Sequence, residues 1–182
     1  NQRRESHAQI SSERLSNKAI TWIDQSQQNQ PWFLWVHYFD PHHIYQPHEG
    51  LTRGEEPLEL YAGEVAFTDM HIERLLKHLE TVGLKENTLV LLVADHGEEF
   101  QEHGGSMHRR TLYEEVLRVP LIIRMPGLAP TRVTQPVSMV DLAPTLYELL
   151  NIAPPAGLQG RSLAAALRGK SMPAATQIAE LE

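Results

Sequence analysis

The sequence lacks several residues and segments on which whole classes of function depend. It contains no cysteine, which excludes disulfides, thiolate metal sites and a cysteine nucleophile within these 182 residues. It has no apolar run of about 18 residues and therefore no candidate transmembrane helix. Basic residues are outnumbered by acidic ones, 16 against 23, and the net charge of -7 argues against nucleic acid as a partner. A local group of cations could still bind a small anion.

Apolar runs that alternate with amphipathic helices dominate the rest of the sequence. The runs 32–39, 88–94 and 119–124 are typical of strands buried on both faces. Helical spacing predicts a helix over 12–25 and a long helix over 61–82. This alternation favours an α/β fold with a mainly parallel sheet flanked by helices.

The second half of the sequence adds shorter helical segments. We expect a short helix over 112–115, a further helix with Asp141 as its N-cap and a short one that ends at Leu167. The hydrophobic content of 41% is sufficient for one compact domain over 1–182, in which 169–182 is a weakly patterned tail.

The long helix carries an apolar stripe and two histidines. The stripe, which we expect to face the core, consists of Val65, Ile72, Leu75, Leu76 and Leu79. His71 and His78 lie on the same helix and are expected at the surface. His37, inside the first apolar run, is expected to be a hydrogen-bonded core residue.

Two loops follow the first two apolar runs, where α/β sheets usually bind ligands. In the second loop, Asp95 and His96 stand directly after the run and before Gly97, which allows a close backbone approach. An adjacent carboxylate and imidazole are suitable ligands for a divalent cation. The alternative is that Asp95 caps a turn and His96 is a surface residue.

Cationic side chains in these loops are candidates for binding a sulfate or phosphate group. His108, Arg109 and Arg110 are consecutive donors that could stabilise negative charge on a leaving oxygen. They could instead pair with the acidic residues that follow them on a solvated face. In the first loop, Pro41 fixes the backbone just before His42, which is otherwise a loop histidine without a role.

Five blocks of the sequence, in order, resemble the sulfatase family of the alkaline phosphatase superfamily. The blocks are 32–42, 61–69, 88–123, 140–146 and 160–163. The resemblance implies the C-terminal portion of an incomplete alkaline phosphatase-like domain. It also implies a sulfuric ester hydrolase that acts on a small anionic sulfate monoester, in a periplasmic, secreted or membrane-associated protein.

The resemblance also implies roles for individual residues. Asp95 and His96 match two metal ligands of the family, with calcium as the expected cation and manganese as the alternative. His42 matches the substrate-binding histidine that contacts the sulfate group. His108 or Arg109 matches the catalytic cationic residue beside the leaving oxygen.

The nucleophile of the family is absent from this chain. Sulfatases carry a Cys/Ser-x-Pro-x-Arg motif whose first residue becomes formylglycine, whereas 128–132 has the Pro-x-Arg spacing but Leu128 in the first position. We therefore expect formylglycine in an N-terminal part that is not included, and no activity from these 182 residues alone. The alternatives are a phosphodiesterase, phosphonate monoester hydrolase or phosphoethanolamine transferase of the same superfamily, or a non-catalytic binding module.

Overall fold

The computed structural model describes residues 10–26, 30–108 and 110–181. The helices and strands, in chain order, are α1 Ser12–Gln25, α2 Pro57–Thr81, β1 Val90–Val93, β2 Glu99–Phe100, β3 Ser106–Met107, α3 Glu114–Leu117, β4 Leu121–Arg124, α4 Leu142–Leu149 and α5 Ala164–Leu167. Short 3-10 turns occupy Lys85–Asn87 and Met139–Asp141. Across the described residues, no helix is both long and apolar enough to cross a membrane.

The chain divides into two compact units. Unit 1 comprises Asn1–Thr88 and Glu98–His108, and unit 2 comprises Leu89–Gly97 and Arg109–Glu182. Unit 1 therefore contains α1, α2, β2, β3 and the 3-10 turn Lys85–Asn87, and unit 2 contains the remaining elements. In the predicted tail, 170–181 forms neither helix nor strand.

In unit 1, α1 packs against α2 through small and polar side chains. Ser12, Ser16, Ala19 and Ile23 share one buried face of α1. The Ser16 hydroxyl donates to the backbone carbonyl of His71 over 2.9 Å. The small side chains allow the two backbones to approach closely.

The buried face of α2 is not its most apolar face. Its buried residues are Gly63, Glu64, Thr68, His71 and Leu79. Val65 and Leu76, which belong to the predicted stripe, are 43% and 39% exposed. Hydrophobic spacing does not predict the buried face of α2, because α2 packs against the serine-rich face of α1. There the Ser12 and Thr68 hydroxyls form a hydrogen bond of 3.2 Å.

Local signals set both ends of α2. Pro57 occupies the first turn, and Glu56 and Glu59 form a capping box. At the other end Gly83 has φ +74, and the Leu84 N–H donates to the Leu79 carbonyl over 2.9 Å. This is the glycine-terminated end that many helices share. The helix therefore begins earlier than the predicted range 61–82.

A short hairpin completes unit 1. β2 and β3 pair antiparallel, with Glu99 opposite Met107 and Phe100 opposite Ser106. The backbone N–H of Gln101 donates to the Gly105 carbonyl over 2.8 Å and closes the turn. We had expected only a loop here, because two strands of two residues each are too short to give an apolar pattern.

Unit 2 is built on a second strand pair. β1 and β4 pair antiparallel, from Val90 opposite Arg124 to Val93 opposite Leu121. A hydrophobic core forms beside this pair, and its members are Leu163, Ala166 and Met172 with Leu121, Val137 and Ala165 packed against them. Helix α5 thus contributes to the core of unit 2.

The α/β class is confirmed, but the strand arrangement differs from the expected one. Both strand pairs in the described residues are antiparallel, and 32–39 forms no strand. Its side chains alternate in burial, and Phe33 and Trp35 are each 76% exposed. An apolar run indicates burial in a sheet, but a strand also needs a hydrogen-bonded neighbour. The described residues supply no such neighbour to this segment.

Candidate active site

His42 and His108 lie next to each other in unit 1. Their ring centroids are 5.3 Å apart and the ring planes meet at 68°. His42 also stacks on Phe39 at 4.6 Å, and its Nδ1–H donates to the backbone carbonyl of His43 over 2.7 Å. The structure therefore brings together the residues predicted to bind substrate and to assist the leaving group.

The backbone just before His42 is held in place by Asp40, a buried carboxylate that binds the N-terminus of α1. Asp40 is 6% exposed. Its Oδ1 accepts from the Ser11 N–H at 2.5 Å and from the Ser11 hydroxyl at 2.9 Å, and its Oδ2 accepts from the Ser12 N–H at 2.6 Å. Helix N-termini favour negative charge, so this arrangement stabilises α1 and holds the loop in place. The His42 N–H donates to the Phe39 carbonyl at 3.1 Å and closes a turn.

His108 is held by Glu98, a residue for which the sequence predicts no individual role. The His108 Nδ1 lies 3.0 Å from Glu98 Oε1, and the two side chains are 7% and 3% exposed. The other carboxylate oxygen, Oε2, accepts from the Tyr45 hydroxyl over 2.6 Å. Glu98 thus links the two predicted loops within unit 1.

Two aromatic rings pack around Tyr45, whose hydroxyl donates to Glu98. Tyr45 lies 5.5 Å from Tyr61 and 5.9 Å from Phe100, measured between ring centroids. Burial raises the pKa of Tyr45 far above 10.0, and the hydrogen bond to Glu98 and the charge of Glu98 raise it further. Burial and the Glu98 charge also raise the pKa of Tyr61. Tyr45 is therefore a neutral phenol that can donate to Glu98 at physiological pH.

A second buried histidine and carboxylate pair lies elsewhere in unit 1. His48 Nε2 is 2.6 Å from Glu64 Oε2, and the side chains are 5% and 2% exposed. The Gln46 N–H donates to Glu64 Oε1 over 2.6 Å, and His48 stacks on Phe67 at 4.0 Å. Burial raises the pKa of Glu64, whereas the hydrogen bonds from His48 and Gln46 oppose that rise. This pair ties the loop after Tyr45 to α2.

In unit 2, Asp95 and His96 follow β1 as predicted. Their side chains are 69% and 36% exposed, and Asp95 Oδ2 lies 3.8 Å from His96 Nε2. The His96 Nδ1–H donates to the Gly97 carbonyl over 2.8 Å, so Nε2 carries the lone pair of the neutral ring. A Cβ on Gly97 would lie 2.0 Å from the Glu115 carbonyl oxygen, which explains the need for glycine.

This geometry fits two ligands of one divalent cation. Metal–ligand distances of about 2.0–2.6 Å allow one ion to contact two donors that are 3.8 Å apart. A carboxylate oxygen and an imidazole nitrogen are a common donor set. The other ring nitrogen of His96, Nδ1, donates a hydrogen bond to the Gly97 carbonyl. Metal-binding histidines usually donate such a second hydrogen bond, which fixes the orientation of the ring.

Three further histidine and arginine predictions have different outcomes. Arg109 lies outside the described residues, so its role stays a prediction. His37 is exposed, not a core residue, because the segment 32–39 is not covered by a neighbouring strand. His71, expected at the surface, is 6% exposed because its face of α2 packs in the interior of unit 1.

Comparison with known proteins identifies the family. A family model described as Sulfatase matches residues 1–152. The chain belongs to the sulfatase family. An N-acetylglucosamine-6-O-sulfatase from Bacteroides thetaiotaomicron is 38% identical to this sulfatase chain over 105 residues, which are 57% of the chain and 19% of that relative.

Solved structures agree on the fold of this sulfatase chain. A putative sulfatase, yidJ from Bacteroides fragilis, superposes with a TM-score of 0.76 at 24% identity, over 88% of the chain and 42% of that structure. A phosphonate monoester hydrolase, SpPMH from Silicibacter pomeroyi, gives a TM-score of 0.59 at 34% identity, over 65% of the chain and 25% of that structure. The sulfatase chain thus spans less than half the length of each of these proteins.

Proposed function

We propose that the full-length protein hydrolyses sulfate monoesters with the help of a divalent cation held in part by Asp95 and His96. Calcium is the first candidate for this cation and manganese the second. His42 binds a sulfate oxygen, and His108 or Arg109 is the cationic residue that assists the leaving oxygen. The observation that carries this proposal is the 5.3 Å contact between the His42 and His108 rings in a chain of the sulfatase family.

The chemistry of these side chains suits a sulfate ester. Nδ1–H of His42 donates to the His43 carbonyl and Nδ1–H of His108 donates to Glu98, so each ring offers an anion its Nε2–H when it is protonated. Hydrogen bonds to charged oxygens are roughly twice as strong as neutral ones. The nucleophile, which we expect outside this chain, forms a bond to sulfur while the bond between sulfur and the alcohol oxygen breaks. His108 in its protonated form then transfers its Nε2 proton to that oxygen. The alcohol then leaves as a neutral molecule and His108 becomes a neutral imidazole. Asp95 and His96 would hold the divalent cation, which would supply Lewis-acid chemistry to an anionic ester.

A phosphorus ester is the second candidate substrate. The observation that favours it is the 34% identity to a phosphonate monoester hydrolase. The same donors and the same cation ligands would serve a phosphonate or phosphate diester, because both present anionic oxygens around a central atom. The nucleophile, which we expect outside this chain, separates the candidates: formylglycine favours the sulfate ester.

The role of His108 can be tested by the dependence of turnover on the leaving group. We define the leaving-group ratio as kcat for 4-nitrophenyl sulfate divided by kcat for phenyl sulfate, measured on the full-length protein with calcium or manganese. Loss of a general acid slows turnover by about 100-fold or more, and it does so chiefly when the leaving alcohol is a weak acid. His108→Ala should therefore raise the leaving-group ratio. The control His78→Ala changes a partly exposed ring paired with Asp24 and should leave it unchanged.

The remaining arms of this experiment separate the candidate functions. Asp95→Ala should lower both the bound cation, measured by elemental analysis, and the turnover. Faster turnover of phenyl phosphonate esters than of aryl sulfates would support the phosphonate monoester hydrolase. If the metal-loaded protein hydrolyses neither class of ester, the non-catalytic binding module is the better description. An unchanged leaving-group ratio in His108→Ala would refute the role of His108.

A further inference from the structure

Glu98 and His108 face each other because of the hairpin between them. The register pairs Glu99 with Met107, which places Glu98 and His108 at the next pair of positions beyond β2 and β3. Side chains at directly opposite positions of antiparallel strands are within contact distance. Met107, immediately before His108, has φ +71, a conformation that few residues other than glycine adopt. Such strain is often retained next to functional side chains.

The contact with Glu98 determines how His108 presents its nitrogens. Nδ1–H donates to Glu98 Oε1 over 3.0 Å, so the second ring nitrogen, Nε2, carries the lone pair in the neutral ring and the transferable proton in the charged ring. Without a fixed acceptor for Nδ1–H, the ring could adopt the other tautomer or rotate. The burial of both side chains, at 7% and 3% exposure, keeps water from replacing Glu98 as the acceptor.

Glu98 is itself held by Tyr45. The Tyr45 hydroxyl donates to Oε2 over 2.6 Å, and Tyr45 is 7% exposed. Its ring contacts Tyr61 and Phe100, whose own rings are 5.1 Å apart. The carboxylate therefore cannot rotate away from His108 without breaking a buried hydrogen bond.

We propose that Glu98 is a positioning residue for His108, and that Tyr45 completes the chain of contacts Tyr45–Glu98–His108. This inference rests on the proposed function, in which His108 serves the leaving oxygen. Glu98 keeps Nδ1 occupied and so directs Nε2 toward the leaving oxygen. The same division of labour, a carboxylate that fixes the tautomer of a catalytic imidazole, is a general device in enzymes.

The test compares two buried carboxylates of unit 1 in the full-length protein. Glu98→Gln keeps the size of the side chain but removes the charge that selects one tautomer of His108. It should raise the leaving-group ratio about 10-fold, the lower end of the effect of losing such a supporting contact, with kcat changed more than KM. Glu64→Gln is the matched control, because Glu64 also contacts a buried histidine, His48, at 2.6 Å. It should leave the leaving-group ratio unchanged even if it lowers stability.

Tyr45→Phe provides a second variant that keeps the aromatic ring and deletes only the donor to Glu98. It should raise the leaving-group ratio in the same direction as Glu98→Gln but to a smaller extent. If Glu98→Gln fails to fold, Tyr45→Phe decides, and an unchanged ratio in that variant overturns the inference.

The outcomes distinguish this inference from the proposed function. If His108→Ala raises the leaving-group ratio and Glu98→Gln does not, Glu98 has no positioning role and the proposed function stands. An equal rise in Glu64→Gln would mean a general loosening of unit 1, which also overturns the positioning role. If His108→Ala itself leaves the ratio unchanged, both proposals fail together.

Discussion

Replacement of His71 by leucine should make the protein more stable. The His71 side chain is buried, and among the residues that the structure describes neither of its ring nitrogens has a hydrogen-bond partner. A buried polar group without a partner costs about 1–3 kcal/mol. Leucine is of similar size and keeps the apolar contact with Phe67, whose ring centroid lies 4.4 Å from that of His71. We expect the free energy of unfolding at pH 7 to rise by about 1–2 kcal/mol.

The increase in the free energy of unfolding that His71→Leu produces should become larger as the pH falls. Burial lowers the pKa of His71 below 6.5, with a further contribution from the charge of Arg74, while Glu13 and Asp40 oppose it and His48 adds to it. The unfolded chain therefore binds a proton on this ring at a pH where the folded ring is still neutral. Stability is lost as the pH falls below 6.5 through the lower folded pKa. Leucine removes this loss, so the difference between variant and parent should be larger at pH 5 than at pH 7.

Urea unfolding followed by tryptophan fluorescence at the two pH values measures both effects. His78→Leu is the control on the same helix, since His78 Nε2 pairs with Asp24 Oδ1 at 2.8 Å near the surface. That variant should lose no more than about 1 kcal/mol. A lower stability of His71→Leu at pH 7, or a gain that does not grow toward pH 5, would refute the reasoning.

Two further predictions concern unit 2. Thr145→Val should lower the free energy of unfolding by about 1–3 kcal/mol, because the fully buried Thr145 hydroxyl accepts from the Leu163 N–H over 2.8 Å; an unchanged urea midpoint would contradict this. Gly160→Ala should cost at least about 1–2 kcal/mol, because Gly160 has φ +85 and a Cβ would lie 2.3 Å from the Val140 carbonyl oxygen. A thermal melt equal to that of the parent protein would show that the backbone there adapts without cost.

Helices were the part of the fold that the sequence predicted best. Helix α1 occupies the expected range Ser12–Gln25, and α4 begins directly after Asp141 as expected. Helical spacing is a local signal, so it does not depend on distant partners. Which face of α2 is buried could not be predicted in the same way, because that depends on the serines of α1.

Strand pairing was much less predictable. The segment 32–39 has the composition of a buried strand, yet membership of a sheet depends on a neighbour that no local pattern reveals. The hairpin of β2 and β3 could not be predicted either, because strands of two residues are too short to produce an apolar pattern. Its consequence was also missed: Glu98 follows a glycine in a polar loop and gives no sign that it contacts His108.

Asp95, His96, His42 and His108 were selected from the sequence for a common reason, and their roles stay predictions. All four lie in the loops that follow apolar runs, where α/β folds usually place ligand sites. The residues that support them, Glu98 among them, become visible only when distant parts of the chain are brought together.

The anchoring of Asp40 has a consequence for any effort to shorten or redesign this protein. Ser11 and Ser12 supply three hydrogen bonds to a carboxylate two positions before His42, although they precede it by about thirty residues in the chain. Trimming the chain to start inside α1 would release the segment that carries His42 while leaving every candidate active-site side chain intact. These two serines should therefore be kept unchanged, together with the candidate active-site residues, in any mutant library or minimal version.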